Sequence, residues 1–179
     1  MNFSIIENLM YQASHWFLMP VLISIVLMFF YTWFVLGMFS SQIVQRYFNK
    51  NDYLTMTRKK ESSKQIQPVQ GYQLFSLIAN KPEASNDELD VYALTQLDTM
   101  RSVTRIAPMM GLIATMIPMG PALQSLADGN VQGISENLIV AFSAIIFSLM
   151  AAAVTFWIGS VKKRWMAQEL IDAEPFRQS

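Results

Sequence analysis

The chain has 179 residues, 53% hydrophobic and only 15% charged, with a formal net charge of zero. Soluble domains carry about 25% charged residues, so the deficit marks an integral membrane protein, and the neutral balance removes the case for a nucleic-acid partner. With no cysteine and one histidine, disulfides, thiolate metal sites and multi-histidine metal sites are excluded, and no P-loop, GxSxG or HExxH pattern points to a chemical enzyme or a bound cofactor.

Residues 1–15 are weakly amphipathic, with Glu7 the single charged side chain. They read as a short helix at the outer interface. His15 at its edge reads as an interfacial polar residue rather than a proton relay. Residues 16–39 form the first apolar run. No Lys or Arg precedes it, and it exceeds the ~7–15 residues of a signal-peptide core, so it is a retained transmembrane helix. Its side chains are bulky, Trp33 among them. Close helix packing favours Gly, Ala, Ser and Thr, which places this span on the lipid side of an assembly.

Residues 40–104 are basic: Arg46, Lys50, Arg58, Lys59, Lys60, Lys64, Lys81 and Arg101 all fall here, and Lys162, Lys163 and Arg164 follow the last span. Residues 1–15 and 128–133 carry no Lys or Arg. Positive charge marks the cytoplasmic side. The expected topology in the cell inner membrane is therefore N-terminus out, 40–104 in, 128–133 out and 161–179 in. Within 40–104, residues 42–48 continue the first span, 53–65 form a basic helical stretch, 66–71 a turn, 72–80 a short apolar helix and 81–84 a break. Ser85 with Glu88 has capping-box spacing. Leu89, Ala93, Leu97, Met100 and Thr104 then recur at helical intervals. They predict one helix running unbroken into the second span and reaching roughly 25 Å into the cytoplasm before the membrane.

The second and third transmembrane helices are expected at 105–127 and 134–160, each about long enough to cross roughly 30 Å of hydrocarbon. On the second, Pro108, Gly111, Thr115, Pro118 and Ala122 share a face. On the third, Ala141, Ala144, Ser148, Ala151 or Ala152, Thr155 and Gly159 do so. One chain of three spans cannot use both small faces fully, so they are expected to meet between subunits of a homo-oligomer and line its centre. Thr115 has two readings, a hydroxyl bonded back to the carbonyl four residues earlier or part of a polar lining. Glu136 likewise is either a helix N-terminal carboxylate, capped by Ser135 and favoured by the dipole, or a member of an ion path.

These same residues carry a resemblance. Ala107-Pro108-Met109-Met110-Gly111-Leu112-Ile113-Ala114-Thr115 resembles the A-P-x-x-G-L-x-G-T pattern of the MotA/TolQ/ExbB proton-channel family. The segment Gly133-Ile134-Ser135-Glu136-Asn137-Leu138-Ile139-Val140-Ala141 resembles its G-I-x-x-A-L-x-x-T stretch. Ala114, Asn137 and Ala141 depart from the pattern, and Ser143 and Ser148 offer hydroxyls near the last. The resemblance implies an all-α fold of three transmembrane helices with a helical cytoplasmic segment between the first and second. It implies that the second and third helices line a pentameric pore around a small single-span partner of the ExbD/TolR/MotB kind, which carries the proton on a membrane aspartate. Thr115, Glu136, Ser143 and Ser148 would then belong to the ion pathway, and Pro108, Gly111, Ala114, Ala141 and Ala144 to helix packing. No cofactor is implied, and the ion expected is H⁺ rather than Na⁺. The rival reading is a non-conducting oligomeric scaffold built on the same small faces.

Overall fold

The computed structural model describes residues 2–58, 70–80 and 86–177. The elements in order are α1 (Asn2–Phe48), α2 (Lys50–Arg58), α3 (Gln73–Asn80), α4 (Asn86–Ala127) and α5 (Val131–Arg177). Helices α1, α4 and α5 are long and apolar enough to cross a membrane. The chain clusters into two compact units, Met1–Trp33 with Ser102–Thr155 and Phe34–Arg101 with Phe156–Ser179. The expected basic stretch beyond Arg58, the start of the 66–71 turn, the break at 81–84 and the Ser85 cap lie outside the described residues.

Helix α1 differs from the sequence reading. It is continuous from Asn2 to Phe48 with Pro20 inside it, so the first fifteen residues do not make a helix of their own. Helix α4 likewise holds Pro108, Pro118 and Pro121 without interruption. Proline frees backbone groups that a membrane interior cannot hydrate, and packing against neighbouring helices makes them tolerable there.

The turn between α4 and α5 is tighter than the six-residue break expected, only Asp128–Asn130. Asn130 N donates to Ser125 O at 2.8 Å and Gly129 N to Leu126 O at 3.1 Å, the two bonds of a Schellman closure. Gly129 has φ +68°, where a Cβ would be strained. Asn130 then caps α5: its Oδ1 accepts from Gly133 N at 3.0 Å. The cap is thus Asn130, not Ser135, and Glu136 falls beyond the first turn. There the dipole contribution expected of it has faded. Asn130→Ala is expected to cost about 1 kcal/mol and Gly129→Ala about 1–2 kcal/mol, read as lowered melting temperatures of the purified protein in mild detergent.

In the first unit, α4 and α5 pack directly on one another through their small faces. Ala107 lies with Ala151 and Ala152, joined by Met28 of α1. Ala114 and Ala144 lie with Val21 and Ile25 of α1. A Cβ on Gly111 would sit 3.0 Å from Ser148 Cβ, so only glycine lets the helices approach this closely. The expectation that these faces meet between subunits is therefore corrected. The two small faces pack on each other inside one chain. Helix α1 is not wholly lipid-facing either. Val21, Ile25 and Thr32 are buried on one stripe, while Trp16, Phe17, Ile23, Leu27, Phe30 and Trp33 are exposed.

The second unit has a core of Tyr53, Tyr72, Leu74, Ile78, Leu89 and Met166, organised around Arg46. Its guanidinium pairs with Glu169, donates through Nε to Gly71 O at 2.8 Å and stacks over the Tyr72 and Trp165 rings, 4.5 and 4.3 Å from their centroids. The other Glu169 oxygen accepts from Leu74 N at 2.9 Å, closing the first turn of α3. Gly71 runs so close to α1 that a Cβ would lie 3.2 Å from the Arg46 backbone nitrogen, and its φ is +95°. Tyr53 stacks on Tyr72 at 4.0 Å and donates to Asp172 Oδ2 at 2.6 Å. Burial first, then the Asp172 hydrogen bond, pushes the Tyr53 phenol well above its ordinary pKa.

Candidate functional site

Four residues were singled out for an ion path, and the fold separates them. Ser148 is buried in the α4–α5 seam, its Oγ donating to Ile145 O at 2.9 Å and standing where a Gly111 side chain would go. It serves the helix contact, as do Gly111, Ala114, Ala141 and Ala144, all buried. Pro108 is half-buried beside them.

The seam sets the heights of the others. Gly111 faces Ser148, and Ala114 shares a cluster with Ala144, so Thr115 and Ser143 stand at one level on antiparallel helices. They do not face the same way. Ser143 lies one turn before Phe147, whose ring meets Phe29 of α1 at 5.0 Å, so Ser143 is on the α1 side of the pair. Met110 packs against the cluster of Val21, Ile25, Ala114 and Ala144, and Thr115, five residues on, is about 140° further around the helix. Thr115 therefore sits on the face turned away from α1. It is half-buried, and its Oγ1 donates to Leu112 O at 2.7 Å, a bond three residues back rather than the four expected.

Glu136 is exposed, seven residues before Ser143 on the same stripe, about 10 Å nearer the α4–α5 turn. Its Oε1 accepts from Gln132 Nε2 at 3.1 Å. Neighbouring Asn137, the departure from the alanine pattern, donates from Nδ2 to Gly133 O at 2.8 Å and so bonds within its own helix. Thr115 and Glu136 are thus not brought together within one chain.

One pair of hydroxyls lies outside these four residues. Thr104 and Thr155 hydroxyls are 3.0 Å apart across the seam, three turns from Thr115, and Thr155 is fully buried with its Oγ1 2.7 Å from Ala151 O. Each had registered only as one small residue at helical spacing. Their meeting depends on the α4–α5 register, which spacing within one helix does not reveal. Among the described residues no group of His, Asp or Glu could hold a metal ion.

A model of the MotA/TolQ/ExbB proton channel family matches residues 70–174, a span that holds α3, α4 and most of α5. No curated protein and no solved structure matches the chain.

Proposed function

Because the chain belongs to the MotA/TolQ/ExbB proton channel family, whose model covers more than half of it, we propose that it is the pore-forming subunit of a proton-motive-force-driven, stator-like complex. At the coarser level it is a multi-pass membrane protein of a channel family, not of an enzyme family. The finer reading is a homo-oligomer, a pentamer as in the resemblance, around a single-span ExbD/TolR/MotB-like partner with a membrane aspartate. It sits in the inner membrane with the N-terminus outside and the C-terminus cytoplasmic, as the Lys and Arg distribution favours.

The observation that carries this reading is the position of Thr115. It is the one hydroxyl of the A-P-x-x-G-L-x-G-T-like segment, and it stands on the face of the α4–α5 pair that α1 leaves uncovered. Five such faces around a partner helix would present a ring of hydroxyls to its aspartate. Neutralising that carboxylate removes a charge that costs several kcal/mol in hydrocarbon. A proton crossing about 100 mV delivers about 2.3 kcal/mol, enough to bias a step between states of similar energy. Glu136, exposed and nearer the turn, would serve the outer entrance. Ser143, on the α1 side, would reach the path only at a junction between subunits.

The scaffold reading is favoured by one observation: Thr115 already bonds its own backbone, and the remaining small residues are consumed in the seam. Proton uptake by liposomes holding the co-purified complex, driven by an imposed potential, separates the two. Conduction by the wild type is expected, with Thr115→Val lowering the flux about five- to tenfold, the worth of one hydrogen bond of about 1 kcal/mol or slightly more. Glu136→Gln is expected to lower it less. Unchanged flux in both variants would remove the site assignment, and no flux in the wild type would leave the scaffold.

A further inference from the structure

The cytoplasmic part of α4 has two faces. Leu89, Ala93 and Leu97 are buried in the core of the second unit. On the other side Leu94 is exposed, with Val91 beside it and Asp90 and Asp98 four residues before and after it, all exposed. Residues four apart are neighbours on one helix face. Residues 86–100 hold four carboxylates and no Lys or Arg, and Asp98 meets Arg101 only at 3.9 Å. The second apolar run begins at Arg105, so Leu94 stands about 16 Å and Val91 about 21 Å outside the hydrocarbon. A headgroup layer is about 5–8 Å deep. Lipid therefore does not cover these two side chains, which are 48% and 61% exposed.

The α1–α2 side of the same unit is the complement of that stripe. Tyr47, Lys50 and Leu54 recur at intervals of three and four, all exposed, along a groove of about 360 Å³. Helical bonding carries them across Asn49, whose N donates to Gln45 O at 3.0 Å while Tyr53 N donates to Asn49 O at 3.1 Å. Residues 42–58 hold Arg46, Lys50 and Arg58 against Asp52, and Asp52, two residues past Lys50, lies about 200° around the helix. The first apolar run ends at Phe39, so Tyr47, Lys50 and Leu54 stand about 12, 16 and 22 Å outside the hydrocarbon. On α4, Asp98, Leu94 and Asp90 stand at about 10, 16 and 22 Å. Rotation about the membrane normal leaves depth unchanged, so only faces at one level can meet in a ring of identical subunits.

We propose that the Asp90–Leu94–Asp98 stripe of α4 docks on the Tyr47–Lys50–Leu54 groove of the next copy in the ring. This rests on the homo-oligomer reading and assigns its cytoplasmic contact. The Lys50 stem lies along Leu94 with its ammonium between the two aspartates, as long amphipathic side chains cover apolar surface while keeping the charge at its edge. Tyr47 donates its hydroxyl to Asp98, and Leu54 packs on Val91. Stripe and groove are different surfaces of one chain, so the contact is head to tail, the kind that closes into a ring.

The test uses the full-length protein in its own membranes, and the absence of native cysteine makes it clean. Two differently tagged copies are co-expressed, one with Leu94→Cys and the other with Lys50→Cys, and treated with a short bismaleimide. A cross-link joining the two tags is expected. With Asp52→Cys in place of Lys50→Cys, it should fall to background. By native mass in mild detergent, K50E is expected to raise the concentration of half-dissociation about tenfold or more, because like charges then face one another. K50E/D98K should bring it back to within about threefold of the wild type, the coupling expected of residues in contact. A wild-type oligomer that gives no cross-link between these positions, that cross-links equally from Asp52→Cys, or that K50E/D98K fails to restore would overturn this contact and leave the homo-oligomer standing. A cross-link from Lys50→Cys to a different co-purifying protein in place of the second tag would also overturn it. A monomeric wild type would overturn both.

Discussion

Arg46→Met is expected to destabilise the protein by about 3–5 kcal/mol, the cost of stranding one member of a buried ion pair. The side chains of Arg46 and Glu169 are 16% and 1% exposed, so the carboxylate left behind has almost no access to water. Leu74 N remains as its donor, but one backbone hydrogen bond does not replace a guanidinium. The variant also loses the stacking on Tyr72 and Trp165 and the bond to Gly71 O. Glu169→Gln is expected to cost less, because the amide oxygen can still accept from Leu74 N and the cation keeps a partial route to solvent. The double variant Arg46→Met/Glu169→Leu is expected to recover part of the loss, since a buried pair replaced by apolar groups can be near neutral. It cannot recover all, because Leu74 N is then left without its acceptor, at about 1–3 kcal/mol. Reversible denaturation in mild detergent, with the near-ultraviolet signal of the stacked aromatics as readout, checks the order: Arg46→Met worst, the double variant intermediate.

Gly111→Ala is expected to cost about 1–3 kcal/mol, the range for forcing extra carbon into a filled core. Its new Cβ would meet the Ser148 hydroxyl and lie 3.0 Å from Ser148 Cβ and 3.6 Å from Ile145 Cα. A rotamer change moves only the first of these. Ser148→Ala should therefore relieve part of the strain and Ser148→Gly most of it. The Gly111→Ala/Ser148→Gly pair should show a coupling within the 0.5–3 kcal/mol seen for residues in contact. The readout is the melting of the protein under conditions that keep its oligomeric state fixed. An effect on subunit association alone, with chain stability unchanged, would mean that the small faces meet between subunits after all.

That outcome bears on how much of the molecule its sequence reveals. The three long helices were legible because each carries an apolar run of spanning length, and the Leu89–Thr104 periodicity announced the length of α4. The small faces were legible too, but their partner was not. Spacing shows which residues of a helix share a side, and says nothing of which neighbour covers it. Here Gly111 against Ser148 and Ala114 against Ala144 close the seam within the chain. Local chemistry decided another point: Asn130, not Ser135, caps α5, because the Gly129 turn brings Asn130 to the position whose side chain reaches Gly133 N. The separate helix at 1–15 failed for a related reason. Weak amphipathicity marks a surface, yet nothing in those residues stops a helix, and Pro20 did not either. Arg46 and Glu169 are 123 residues apart, and no pattern along the chain joins them.

For the candidate site, the family pattern pointed to Thr115 and Glu136 as residues. Their orientation came only with the α1 contacts, which place Thr115 on the uncovered face and Ser143 on the other. The Thr104–Thr155 bond was invisible for the same reason, since each hydroxyl is unremarkable on its own helix.

The claim that this chain builds an ion path around a partner is tested most directly by its composition in its own membranes. The measurement is a mild-detergent pull-down of the tagged protein, followed by native mass determination and identification of what comes with it. The account predicts a small protein with one span and an aspartate within that span, at two copies to five of this chain. A homo-oligomer without such a partner, or a monomer, would contradict it and leave Thr115 as a back-bonded hydroxyl and Glu136 as a surface carboxylate.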